Sequence, residues 1–121
     1  MRIVSGSLRG RNIATPGGRS TRPTSDQTRE SIFNILAHAE WAPELDGAIV
    51  ADIFAGSGAL GLEALSRGAA HCTFVEQDRA ALDALEKNID TFQASADIRI
   101  GSVLHLGPAR NPYDLVLMDP P

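Results

Sequence analysis

Three glycines and three acidic residues have the types and the spacing that could do chemistry in this chain. Gly56, Gly58 and Gly61 follow an apolar run in the spacing Gly-x-Gly-x-x-Gly. This pattern is typical of a strand-to-helix turn that binds a nucleotide cofactor, because glycines let a ligand lie against bare backbone at the start of the helix. The pattern predicts a cofactor site, and the alternative is that the glycines only form the turn.

Acidic residues near the ends of two apolar runs indicate which nucleotide would bind. Glu76 ends the run after the glycines, and its carboxylate could accept hydrogen bonds from two ribose hydroxyls. Asp52 lies four residues before Gly56, where a carboxylate would repel the pyrophosphate of NAD. S-adenosylmethionine has no phosphate and carries an ammonium and a sulfonium group. We therefore expect this cofactor, with Asp52 orienting its methionine end directly or through water. The alternatives are a solvated strand end at Glu76 and a turn cap at Asp52.

The segment Asp119-Pro120-Pro121 follows the last apolar run and indicates the group that would be modified. Two prolines end the strand abruptly and leave the Asp119 carboxylate and the Pro120 carbonyl as two acceptors in a rigid fork. Acceptors that hold both hydrogens of an exocyclic base amine favour a pyramidal nitrogen aimed at a methyl group. Positioning and charge stabilisation would then supply most of the rate. The alternative is an ordinary proline turn.

The residues around these motifs alternate between apolar runs and helical patterns, which predicts a parallel α/β sheet. The segments are an apolar run at 48–54, a helix at about 59–67, an apolar run at 71–76, a helix at about 79–92, a β-prone run at 97–103 and an apolar run at 113–118. Runs that are apolar throughout indicate parallel strands with helices on both faces. Gly68 should end the helix at 59–67, and Asp78 should cap the start of the helix at 79–92. The carboxyl ends of parallel strands meet at one edge, so the three acidic residues should face one crevice.

The last apolar run should be a central strand with neighbours on both sides. Here one side of residues 115–118 would be bare, and a bare apolar edge is an aggregation hazard. We therefore expect the chain to be a fragment, or to be completed by a partner or by strand exchange, for example in a homodimer.

The N-terminal residues carry a basic charge on an otherwise acidic chain. Residues 1–30 contain six arginines and two acidic residues, whereas the remainder has 5 basic and 13 acidic residues. Short β-prone runs at 2–5 and about 11–15 predict a hairpin around residues 6–10, followed by an exposed, mobile loop at 16–23. We expect a basic hairpin and loop at 1–23 that could hold a polyanion, and a cofactor-binding domain at 24–121.

A helix is predicted from Thr24, because Thr24 to Gln27 has the spacing of a capping box and Asp26 suits a helix start. The apolar stripe of this helix consists of Ile32, Phe33, Ile35, Leu36 and Ala39.

Length and composition predict one globular domain. The chain has 121 residues, of which 43% are hydrophobic, and no apolar stretch approaches the roughly 20 residues that cross a bilayer. Cys72 has no partner cysteine and the N-terminus has no signal pattern, so we expect a soluble protein of the reducing cytoplasm. The histidines have no ligand partners at metal spacing, so we expect no metal site.

Together these motifs resemble the class I S-adenosylmethionine-dependent methyltransferases, and specifically the RsmD-type family that methylates the N2 amine of a guanine in 16S ribosomal RNA. The opening hairpin and the start of the helix predicted from Thr24 narrow the class to this family. The resemblance covers the whole chain, with matching segments at 2–6, 9–11, 21–26, 29–34, 54–69 and 119–121.

The resemblance implies a Rossmann-like sheet whose last strands lie beyond Pro121, and 16S rRNA or the small ribosomal subunit as partner. The implied site residues are Asp52, Gly56, Gly58 and Gly61 around the methionine end of the cofactor, Glu76 on its ribose, Ser102 and Val103 beside its adenine, and Asp119 with Pro120 on the target amine. RNA phosphates would be contacted by Arg9, Arg11, Arg19 and Arg22.

Two departures from the family pattern matter. The family carries an aromatic residue after Asp-Pro-Pro on which an extruded base stacks, and this sequence ends before that position. Position 102 is serine where many relatives have Asp or Asn, which weakens the expected bond to the adenine amine.

Three other functions are compatible with parts of the pattern. The same Asp-Pro-Pro chemistry would serve an adenine-N6 DNA methyltransferase. The glycine spacing alone would serve an NAD-dependent oxidoreductase. A fragment that binds cofactor or RNA without doing chemistry is the third alternative.

Overall fold

The computed structural model describes residues 1–16 and 24–121. The helices are α1 (Asp26–His38), α2 (Ala59–Ser66) and α3 (Arg79–Phe92), and a 3-10 turn covers Val103–His105. The strands are β1 (Ile49–Ile53), β2 (His71–Glu76), β3 (Ala96–Ile100) and β4 (Leu115–Met118). Strand and helix alternate from β1 onward, as the sequence predicts.

The four strands form one parallel sheet in the order β3-β2-β1-β4. This arrangement confirms the predicted Rossmann-like fold class. β1 lies inside the sheet with β2 on one side and β4 on the other, and the glycine turn follows it. β4 is at the edge of the described sheet, and two of its side chains are exposed, Val116 at 47% and Met118 at 59%.

One hydrophobic cluster joins the helices to a single face of the sheet. Phe33 of α1, Leu62 of α2 and Leu85 of α3 belong to the same buried cluster as Cys72 and Phe74 of β2. The sequence predicts helices on both faces. In the part of the chain that the structure describes, the three helices share one face, and Val116 and Met118 lie on the other by strand alternation.

The start and the apolar stripe of α1 differ from the sequence prediction. Ser25, not Thr24, is the N-cap, and its side chain accepts a hydrogen bond from the Thr28 amide at 3.1 Å. Phe33 is buried, whereas Ile32 and Ile35 are 36% and 58% exposed. The stripe is narrower because α1 packs through Phe33 and through a buried arginine rather than through a broad apolar face.

Two further boundaries are corrected by the structure. The predicted N-terminal hairpin is reduced to one antiparallel bridge between Arg2 and Asn12, flanked by hydrogen bonds from the Ile3 amide to the Arg11 carbonyl at 3.0 Å and from the Ile13 amide to the Met1 carbonyl at 2.8 Å. β3 ends at Ile100 instead of continuing to 103, because Gly101 has a φ of 150° and a 3-10 turn begins at Val103. Gly68 and Asp78 lie at their predicted helix termini.

No helix among the described residues is long and apolar enough to span a membrane.

Candidate functional site

The strand register brings three acidic residues to one face at the carboxyl edge of the sheet. Asp52 of β1 is paired with Phe74 of β2 and with Leu117 of β4. Side chains alternate along a strand, so Glu76 and Asp119, each two residues further on, point to the same face as Asp52. This is the face that carries the helices. The sequence prediction that these residues meet at one edge agrees with the register.

Asp52 is buried in β1, one residue before the end of the strand. Its side chain is 1% exposed, and Oδ2 accepts a hydrogen bond from the Gly61 amide at 2.9 Å. Oδ1 is buried and has no hydrogen-bond partner among the described residues. Burial raises the pKa of Asp52 to about 8, the Gly61 hydrogen bond opposes that shift, and the charges of Asp119 and Glu76 add to it.

The three glycines of the turn have different structural roles. A Cβ atom on Gly61 would lie 2.4 Å from Cε1 of Phe74, and one on Gly58 would lie 2.6 Å from Cδ1 of Leu85. These two glycines let α2 pack closely on the sheet and on α3. Gly56 has a φ of 59° and open space where a side chain would be. We expected all three glycines to present bare backbone to a ligand. Of the three, only Gly56 has open space beside it, whereas Gly58 and Gly61 are packed against other side chains.

Glu76 is fixed by backbone amides on both carboxylate oxygens. Oε1 accepts from the Gly56 amide at 2.7 Å, and Oε2 accepts from the amides of Gln77 at 3.0 Å and Asp78 at 2.9 Å. A carboxylate has about four acceptor positions, so these three bonds leave room for one more donor. Glu76 thus links the glycine turn to the start of α3 and retains acceptor capacity.

The carboxyl edge also contains the other predicted site residues. Asp119 and Pro120 are exposed after β4, and Oδ2 of Asp119 accepts a hydrogen bond from the Thr24 hydroxyl. Ser102 follows β3 and caps the 3-10 turn by accepting from the Leu104 amide at 3.2 Å, and Val103 is the first residue of that turn. A hollow of about 530 Å³ lies elsewhere, at the amino ends of the strands, and Asp52, Glu76 and Asp119 do not line it.

The predicted RNA-binding arginines are described in part. Arg9 is exposed, and Arg11 lies 4.7 Å from the ring centroid of Phe92 and donates to the Thr91 carbonyl at 3.3 Å. Arg19 and Arg22 lie outside the described residues. In residues 1–16 and 24–121, no group of three or more His, Cys, Asp or Glu side chains could hold a metal ion.

A buried charge cluster anchors the N-terminal residues to the site, and sequence reasoning missed it. Glu63 accepts from the amides of Val4 and Ser5 through one oxygen each, and from Arg29 at 3.1 Å and Arg67 at 3.0 Å. Arg29 and Glu63 are both 0% exposed. Arg29, one of the six arginines among residues 1–30, is therefore a buried structural charge and not part of an exposed basic surface. The available signal was a glutamate within the otherwise apolar α2 sequence.

Asn88 makes a second link that the sequence analysis did not identify. Its Oδ1 accepts from the Ala14 amide at 2.8 Å, and its Nδ2 donates to the carbonyls of Ala14 and Ser57, each at 2.9 Å. Ser57 belongs to the glycine turn, so this buried side chain joins the N-terminal segment to it. The signal in the sequence is a polar residue on the apolar side of α3.

Comparisons with known proteins agree with this architecture. Ribosomal RNA small subunit methyltransferase D of Escherichia coli K12 is 42% identical over 123 residues, which is 100% of this chain and 60% of that protein. The protein of the same name from Haemophilus influenzae is 37% identical over 128 residues, which is 100% of this chain and 63% of that protein. The chain thus spans about three fifths of the length of these relatives.

A solved structure and a family model extend the comparison. The Escherichia coli protein yhhF has a TM-score of 0.84 and 39% identity, over 100% of this chain and 64% of that chain. The family model described as Conserved hypothetical protein 95 matches residues 1–121. The resemblance inferred from the motifs is confirmed, and the chain belongs to the Conserved hypothetical protein 95 family.

Proposed function

We propose that the protein transfers a methyl group from S-adenosylmethionine to the N2 amine of a guanine in 16S rRNA. The observation that carries this proposal is the placement of Asp52, Glu76 and Asp119 on one face at one sheet edge, directly beside the glycine turn. The relatives named as small-subunit rRNA methyltransferases support ribosomal RNA as the substrate. The choice of guanine N2 rests on the Asp-Pro-Pro motif and the family resemblance.

The residues present fit a cationic nucleotide cofactor. Oδ1 of Asp52 is a buried acceptor without a partner, and the ammonium of the methionine end would supply the missing donor. Glu76 has acceptor capacity left for a ribose hydroxyl, and Gly56 leaves open space at the turn. A coclaurine N-methyltransferase of the same fold, 18% identical with a TM-score of 0.58, was solved with S-adenosylhomocysteine (SAH) bound. Ser102 and Val103 would lie beside the adenine.

Asp119 and Pro120 bind and position the target amine. Bound S-adenosylmethionine supplies a methyl group on a positively charged sulfur, so that transfer forms an N–C bond, breaks the S–C bond and leaves the sulfur neutral. The Asp119 carboxylate and the Pro120 carbonyl accept the two amine hydrogens and hold the nitrogen in place. The carboxylate also stabilises the positive charge that develops on the nitrogen and accepts the proton that the nitrogen loses.

The N-terminal arginines would hold the RNA backbone. Arg9 and Arg11 lie among the described residues, and Arg19 and Arg22 are the other two arginines proposed to contact RNA phosphates. The free 16S rRNA or the small ribosomal subunit is the proposed partner, in the cytoplasm.

The exposed edge of β4 suits a homodimer. Light scattering tests this proposal directly, and a stable monomer would contradict it.

Calorimetric titration with SAH tests the cofactor site without requiring turnover. The Gly56→Ala variant should lose most of the SAH affinity, because it places a methyl group where the ligand would lie. Gly107→Ala is the matched control, because Gly107 also has a positive φ, 68°, and open space around its Cβ position. Both variants should lose similar folding stability. Binding of NAD in preference to SAH would support the oxidoreductase alternative and contradict the proposal.

A transfer assay tests the acceptor. The protein and tritiated S-adenosylmethionine are incubated in parallel reactions with 16S RNA, with small ribosomal subunits and with DNA. Label in the RNA or the subunits, located on guanine after nuclease digestion, is the expected result. Label in adenine of DNA would identify the adenine-N6 alternative. SAH binding without label in any acceptor would identify a fragment that binds without chemistry.

A further inference from the structure

One contact joins the proposed catalytic carboxylate to a residue that is not among the proposed site residues. The Thr24 hydroxyl donates a hydrogen bond to Oδ2 of Asp119, across 95 positions of sequence. Thr24 is partly buried, whereas Asp119 is exposed. The sequence suggests that Thr24 caps α1, but Ser25 has that role, so the Thr24 side chain is available to Asp119.

The segment that carries Thr24 is held against α2 by a chain of hydrogen bonds and ion pairs. Ser25 caps α1 through the Thr28 amide, and Asp26 pairs with Arg29 at 3.0 Å. Arg29 pairs in turn with Glu63 of α2 at 3.1 Å, and both of these side chains are fully buried. Thr24 therefore stands in a fixed position relative to α2, whose start belongs to the proposed cofactor site.

The Asp119 side chain needs such a partner for two physical reasons. An exposed aspartate after the end of a strand can rotate about two side-chain bonds, and only a narrow range of orientations presents an oxygen to the target amine. Water also competes for the oxygens of an exposed carboxylate, so an unheld Asp119 has no preference for the orientation that faces the amine. A hydroxyl on Oδ2 opposes both effects and leaves Oδ1 for the substrate.

We propose that Thr24 is a positioning residue for the methyl-transfer reaction, which orients the Asp119 carboxylate toward the target amine through its hydroxyl group. This inference rests on the proposed function. Thr24 follows directly on residues 17–23 of the N-terminal segment, so the residue that positions Asp119 is adjacent to the proposed RNA-binding region.

The first experiment compares Thr24→Val, which keeps the shape and removes the hydroxyl, with Thr24→Ser, which keeps the hydroxyl. Thr24→Val should lower kcat by roughly ten- to a hundredfold, the order expected from misplacing a reacting group by about an ångström. KM for RNA and the SAH affinity should not change. Thr24→Ser should retain most of kcat. Thr91→Val makes the same chemical change at an exposed position of α3 and is the matched control. A wild-type kcat in Thr24→Val overturns the inference.

The second experiment needs no enzymatic activity, so that failure of the proposed function and failure of this inference are distinguishable. Denaturation midpoints are measured for the wild type, Thr24→Val, Asp119→Ala and the double variant. Thr24→Val should shift the midpoint in the wild-type background and leave it unchanged in the Asp119→Ala background, because the partner is then gone. An equal shift in both backgrounds would mean that Thr24 acts only at the start of α1, and it would overturn the inference. Absent SAH binding or methyl transfer in the wild type would contradict the proposed function alone.

Discussion

Replacing Asp52 with asparagine should stabilise the free protein at neutral pH and weaken its binding of cofactor. The carboxyl group is 1% exposed, makes one hydrogen bond through Oδ2 and leaves Oδ1 without a partner. Burial raises the pKa of Asp52 to about 8, with further contributions from the charges of Asp119 and Glu76. Asparagine keeps the size of the side chain and an oxygen for the Gly61 amide, and it removes the ionisation.

The magnitude follows from the two protonation equilibria. The folded protein keeps the Asp52 proton up to about pH 8, whereas the unfolded chain releases it near pH 3.8. Between these values the folded state binds more protons, so its stability falls as the pH rises. At pH 7 the loss relative to low pH amounts to about 4 kcal/mol. A buried asparagine amide without a partner costs about 1 to 3 kcal/mol, so the net stabilisation by Asp52→Asn at pH 7 should be about 1 to 3 kcal/mol.

The assay is urea denaturation of wild type and variant at a series of pH values from 4 to 8. At pH 4 the variant should be less stable than the wild type by about 1 to 3 kcal/mol, because the cost of the buried amide is present and almost none of the ionisation cost is relieved. The difference in unfolding free energy should change sign as the pH rises and favour the variant at pH 7. Asp90→Asn, at an exposed position of α3, should show no such trend. Asp52→Asn should also weaken SAH binding, because it removes the acceptor proposed for the ammonium. Parallel stability curves for wild type and Asp52→Asn, or a less stable variant at pH 7, would refute this account of the buried carboxyl.

Three further predictions concern packing, the buried charge cluster and RNA. Gly61→Ala should destabilise the fold by about 1 to 3 kcal/mol in urea denaturation, because its Cβ would lie 2.4 Å from Phe74, and an unchanged midpoint would contradict the packing role. Glu63→Gln should cost about 3 to 5 kcal/mol, because it removes the buried counter-charge that Arg29 and Arg67 share and leaves Arg29 only the partly exposed Asp26, whereas Glu86→Gln on the exposed side of α3 should be neutral. Arg9→Ala should weaken RNA binding and reduce the slope of log affinity against log salt by about 1, and a slope equal to that of wild type would show that Arg9 makes no phosphate contact.

The elements with regular patterns were predictable from the sequence. β2 and α3 have the bounds that the apolar runs predict, because a buried parallel strand is apolar throughout and α3 starts at its predicted cap, Asp78. The meeting of Asp52, Glu76 and Asp119 at one edge was also predictable, since the carboxyl ends of parallel strands coincide.

Features that depend on contacts distant in sequence were not predictable. Thr24 and Ser25 are both good cap residues, and the local sequence does not show that Ser25 caps α1 while the Thr24 hydroxyl bonds to Asp119. An arginine in the basic N-terminal region looks solvent-exposed until its partner is known, and Glu63 makes Arg29 a buried residue. The burial of Asp52 depends on how closely α2 approaches β1, which Gly61 permits and no local pattern reports.

The Glu63 carboxylate accepts four hydrogen bonds from separate parts of the chain, so we expect these parts to unfold locally as one unit. The donors come from residues 4–5, from Arg29 of α1 and from Arg67 beside α2, and loss of any one leaves a buried carboxylate short of a partner. The backbone amides of the N-terminal segment and of α1 should therefore exchange with deuterium at a common opening free energy, as one cooperative unit. Clipping off the first five residues would accordingly loosen a helix more than twenty positions downstream.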